Sequence, residues 1–110
     1  MNDTVVIYKI LRALSKYMDV PEPDYKDIQP KRLEISRIRW ERILYLLVRE
    51  GLIEGVVFDQ SALDPEPVLC EPMYPRITLK GIDYLENSGM MAKAKEFLKT
   101  IVPVAGAMIK

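Results

Sequence analysis

A chain of 110 residues with 49% apolar side chains has the size of one domain and enough apolar surface for one core. Its 16 basic and 16 acidic residues cancel, so no overall positive charge advertises non-specific nucleic-acid binding, and a single cysteine, Cys70, excludes an internal disulfide framework. The absence of histidine removes the commonest general base, the commonest metal ligand and every imidazole-dependent triad, so neither an enzyme nor a cofactor is expected.

The start MNDTVV has no basic flank and runs straight into a charged amphipathic pattern, so no signal peptide is expected and the expected location is cytoplasmic. A first helix is predicted from residue 3 or 4 to residue 17, with Asp3 as N-cap and Val6, Ile7, Ile10, Leu11, Leu14 and Met18 on one buried face. Pro21 and Pro23 then impose an extended connection. A short second helix enters at Pro30, which suits a first helical position, and ends near Leu33.

The third helix is predicted to start with Ser36 as its cap and to stop at Gly51, a residue suited to the left-handed conformation after a helix end. Trp40, Ile43, Leu44 and Leu47 share its core side, with the indole edge of Trp40 reaching the domain surface. Ile38, Arg42, Tyr45 and Arg49 share the outward side. LIEGVVF, residues 52–58, is rich in β-branched residues and predicts one strand. Residues 59–72 combine acids and prolines and predict a loop or distorted hairpin tip. MYPRIT, residues 73–78, predicts the returning strand, with Pro75 forcing an edge position.

Thr78 should cap a helix through about Asn87 that buries Leu79, Ile82 and Leu85 with Tyr84 alongside, and a last helix is predicted over residues 90–101. The most apolar run, IVPVAGAMI at residues 101–109, is about half the length a bilayer span requires and contains Pro103, so no membrane association is expected. The order of elements defines an α+β winged helix-turn-helix, a three-helix core with a β-hairpin wing, plus additional C-terminal helices. Residues 1–88 are expected to form the winged domain and residues 89–110 a C-terminal helix and tail packed on that domain or on a partner.

Three local patterns carry a resemblance to a known family: Leu33-Glu34-Ile35-Ser36; Arg49-Glu50-Gly51-Leu52-Ile53-Glu54-Gly55; and the run from Ile77 through Thr78, Gly81, Tyr84-Leu85 and Ser88 to Met90-Met91. Together they resemble the YjcQ-like winged-helix family of Gram-positive bacteria and their phages, over nearly the whole chain to about Pro103. The resemblance implies a compact winged-helix domain with an added C-terminal helix. It implies little about activity.

Charge distribution bears more directly on function. Lys31, Arg32, Arg37, Arg39, Arg42 and Arg49 face only Glu34 and Glu41 over residues 31–49, whereas residues 54–71 hold Glu54, Asp59, Asp64, Glu66 and Glu71 and no basic residue. The expected function is therefore that of a DNA-binding protein, which with the phage context that the resemblance implies reads as a phage-derived transcriptional regulator. Arg37, Arg39 and Arg42 would contact phosphates or guanine edges, Tyr45 would support them, and Lys31 and Arg32 would anchor the preceding helix to double-stranded DNA. The alternative is a non-enzymatic protein-interaction module on the same scaffold, since arginine beside an outward Ile38 and Tyr45 also marks partner surfaces. A continuous positive patch over Lys31, Arg37, Arg39 and Arg42 supports the first; a patch interrupted by Glu34, Glu41 and the acidic hairpin supports the second. Self-association as a homodimer is expected through Met90, Met91, Phe97, Leu98 and Ile101. The acids Asp59, Asp64, Glu66 and Glu71 follow no calcium-loop spacing, and Cys70 in its acidic, proline-rich setting reads as inert.

Overall fold

The computed structural model describes residues 2–60 and 66–87. The expected helix and self-association surface over residues 90–101 lie outside them, as does Asp64. Helix α1 spans Asp3–Tyr17 and turns Val6, Ile10, Leu11 and Leu14 into the core, as its three-and-four spacing requires. Two expectations at its ends are corrected. Asn2 is the N-cap, its side chain accepting from the Val5 amide at 2.9 Å, and Asp3 sits inside the first turn. Met18 is the C-cap and is 64% exposed, because the chain leaves the helix before the residue can complete the buried stripe.

A single 3-10 turn, Lys26–Ile28, that the sequence did not announce precedes α2, Pro30–Leu33. Glu34 then adopts a left-handed conformation, φ 58°, and this turn swings the chain into α3, Arg37–Arg49. The Ser36 hydroxyl accepts from the Arg39 amide at 3.2 Å, as expected of the cap. At the other end Gly51 has φ 76°, its amide donates to the Val48 carbonyl at 3.0 Å, and the Leu52 amide reaches the Leu47 carbonyl at 2.9 Å. That pair of bonds is a Schellman stop, which satisfies carbonyls the helix end would leave orphaned.

Trp40, Ile43, Leu44 and Leu47 are buried on α3. The Trp40 indole edge does not reach the surface: its N–H donates to the Ile28 carbonyl at 2.7 Å inside the core. The 3-10 turn explains the correction, since it brings an acceptor over the helix where solvent was expected.

The wing is a hairpin whose ladder is interrupted. Strand β1 (Ile53–Glu54) pairs antiparallel with β4 (Arg76–Ile77), and β2 (Val57–Asp59) pairs antiparallel with β3 (Val68–Cys70). The single strand expected over residues 52–58 is thus split at Gly55 and Val56. The stretch expected to be a loop or distorted hairpin tip contains β3, in register with Leu69 opposite Phe58. Pro72 and Pro75 have no amide to give, so the ladder cannot run through residues 71–75. The Tyr74 amide alone bridges the gap, donating to the Gly55 carbonyl at 3.1 Å. The Glu71–Pro72 peptide is cis.

Helix α4, Leu79–Asn87, packs against α1 and β4. Thr78 caps it and also ties it to α3: its hydroxyl accepts from the Gly81 amide at 2.9 Å and donates to the Gly51 carbonyl at 2.6 Å. Leu85 is buried, but Leu79 is 83% exposed, against expectation. Gly81 explains why, since it is the position of the first turn that presses on the Leu52 backbone and so turns Leu79 outward. Among the described residues no helix is long and apolar enough to cross a membrane.

Candidate interaction surface on the third helix

The cap at Ser36 fixes the phase of α3, and that phase leaves Arg37, Ile38, Arg39, Arg42 and Leu46 exposed around the buried Trp40 stripe. Each of the three arginines is met by a carboxylate. Arg37 is held by Glu41 one turn on, at 3.3 Å, and by Glu71 from the hairpin, while its guanidinium stands 5.2 Å from the centre of the Trp40 ring. Arg39 grips Asp3 of α1 through two bonds of 2.6 Å. Arg42 lies 3.7 Å from Glu66. The hydrogen bond to Glu71 pushes the Arg37 guanidinium above its ordinary value, and the hydrogen bond to Asp3 does the same for Arg39.

Tyr45 is half-buried rather than free, its ring meeting Phe58 of β2 edge-on at 5.3 Å. The hairpin therefore leans on the helix instead of flanking it at a distance. Between them runs an open groove of about 560 Å³ lined by Ile38, Glu41, Arg42, Tyr45, Leu46, Glu66 and Pro67. Ile38 is 66% exposed and Leu46 48%, two apolar anchors on either side of the Arg42–Glu66 pair.

The structure brings Arg37, Arg39, Arg42 and Tyr45 to one helix but places Arg32 elsewhere, 3.5 Å from Asp27 and beside Lys9, Arg12 and Lys16 of α1. Lys31 is exposed on α2. Sequence reasoning missed Glu66, Glu71 and Asp3 as partners of the helix. The acidic run of residues 54–71 was the signal for Glu66 and Glu71, but only the folding back of the hairpin tells which arginines they meet, and only the packing of α1 on α3 brings Asp3 to Arg39.

The Asp3–Arg39 contact clamps the start of α1 to α3 and has a measurable pH signature. The Arg39 hydrogen bond holds the Asp3 carboxyl below its ordinary value of 3.8. The folded chain thus takes up that proton less readily than the unfolded chain, so the contact stabilises fully above the unfolded value and is lost as pH falls through the depressed folded one. Asp3→Asn should melt below the wild type at neutral pH, with the gap closing below about pH 3.8 and narrowing at high salt. A gap that persists unchanged in acid would assign the stabilisation to something other than this carboxylate.

Three helices, a left-handed turn before the third, and a hairpin after it define a winged-helix protein of the α+β class. The model of the family described as YjcQ protein matches residues 8–103, and the chain belongs to that family. No curated protein and no solved structure matches it.

Proposed function

We propose that this chain is a non-enzymatic protein-interaction module built on a winged-helix scaffold, with the groove between α3 and the hairpin as its docking surface. The observation that carries this reading is the set of acids standing among the α3 arginines: Glu41, Glu66, Glu71 and Asp3. Phosphate approaching that face would meet carboxylates at each arginine, and exposed pairs of this kind add little to stability, so their chief effect is on what the face attracts. Apart from these paired arginines and Arg49, the exposed side chains of α3 are apolar. Ile38 and Leu46 lie two helical turns apart, a spacing that receives the apolar side chains of an amphipathic helix while the Arg42–Glu66 pair fixes its register.

Native-size chromatography of the protein in extracts of its host tests the reading with two double variants. Ile38→Asp with Leu46→Asp should collapse a partner complex to the size of the free chain. Arg37→Ala with Arg39→Ala, outside the groove lining, should leave the complex in place. Both pairs are exposed, so the apolar-to-acid changes should shift stability by no more than about 0.5 kcal/mol each. If the acidic pair elutes as the wild type does, the groove is not the docking surface.

A further inference from the structure

The outward face of α1 carries Lys9, Arg12 and Lys16 at spacings of three and four, all exposed. Arg32 of α2 stands beside them, and together with Tyr8, Ala13, Leu33 and Asp27 these residues line an open trough of about 420 Å³. Asp27 is the one carboxylate in that lining, and it is already engaged, accepting from the Tyr17 hydroxyl at 3.2 Å and lying 3.5 Å from Arg32. Among the described residues no carboxylate comes within ion-pair distance of Lys9, Arg12 or Lys16, in contrast to Arg37, Arg39 and Arg42 of α3. Like charges on successive turns oppose helix formation slightly. Only Lys16, in the last turn, complements the helix end; Lys9 and Arg12 do nothing for α1 itself.

We infer that this face grips the phosphate backbone of duplex DNA without reading its sequence. The eight residues from Lys9 to Lys16 rise about 10 Å, an axial length over which one strand of the duplex carries about three phosphates. A rigid line of phosphates meets a rigid line of cations with no ordering cost on either side, whereas a flexible acidic peptide would have to be immobilised. A lipid surface fits less well, because none of the exposed large apolar side chains lies in the trough to enter the acyl boundary. Long cationic side chains reach backbone oxygens in any sequence. The inference stands on the charges of α1 and α2 and is independent of what docks on α3.

Fluorescence anisotropy of the full chain with a mixed-sequence duplex of about 30 base pairs tests it. With about four phosphate contacts, affinity should fall about 100-fold between about 50 mM and 200 mM salt. Lys9→Glu, Arg12→Glu and Lys16→Glu combined should abolish binding at the lower salt, while Arg39→Ala with Arg42→Ala binds as the wild type does. The milder pair Lys9→Gln and Lys16→Gln keeps the fold readable and should reduce the logarithmic salt slope by about 2. The inference is overturned by a wild type that does not bind at low salt, by glutamine variants with an unchanged slope, or by tighter binding to phosphatidylserine vesicles or poly-glutamate than to the duplex.

Discussion

Gly81→Ala is expected to destabilise the protein by about 2–4 kcal/mol, a fall of about 10–20 °C in Tm, although the same change at an exposed helical position would stabilise by about 1 kcal/mol. The reason is where α4 begins. A Cβ at Gly81 would come within 2.7 Å of the Ile77 Cγ1 and nearer still to the Leu52 carbonyl oxygen. Leu52 is the residue that closes the stop of α3, and the Gly81 amide is the one Thr78 caps, so the methyl cannot be accommodated without prising α4 from the junction of α3 and the hairpin. Thermal and denaturant unfolding check the sign directly. An unchanged or raised Tm would mean that α4 does not seat on the Leu52 backbone.

Replacement of Trp40 is the second large effect. Trp40→Ala removes a fully buried ring and should cost about 3–5 kcal/mol, most of the stability of a domain at the lower end of the usual range of about 5–15 kcal/mol. Trp40→Phe divides that loss into its parts. It keeps most of the ring volume but removes the donor from the Ile28 carbonyl inside the core, so about 2 kcal/mol should remain attributable to the lost bond and the residual gap. The local consequence is as informative as the size: the bond links the turn before α2 to α3, so amide exchange at residues 26–29 should quicken in Trp40→Phe more than exchange in α1. Equal quickening everywhere would argue that the indole contributes volume alone.

The helices were legible because their signals are local. Pro30, Ser36 and Gly51 each specify a backbone state through their own chemistry, and the buried sides of α1 and α3 follow from spacing alone. What escaped depends on contacts between distant segments. Strand β3 is short and flanked by prolines and acids, so nothing in its own residues outweighs a loop; its partner Val57–Asp59 makes it a strand. Leu79 looked like core because its helix is amphipathic, but the tight seat of Gly81 rotates that helix about the Leu52 backbone.

The same division runs through the candidate sites. The positions of Arg37, Arg39 and Arg42 on α3 were readable from spacing, whereas their pairing with Glu71, Asp3 and Glu66 spans separations no periodicity encodes. Those pairs carry the functional argument. A basic helix read in isolation suggests phosphate; the same helix beside its acids, with Ile38 and Leu46 left outward, suggests a protein. The stripe of Lys9, Arg12 and Lys16 stands in the sequence at helical spacing, but only the fold sets Arg32 beside it.

What the α3 face touches in the cell can be read by placing a photoreactive aromatic amino acid at Leu46, which is 48% exposed and lines the groove. Irradiation should trap a discrete adduct that protease destroys and nuclease leaves intact, and adding Ile38→Asp should abolish it. An adduct that nuclease destroys, or recovery of the free chain alone, would contradict a protein-docking surface at this groove.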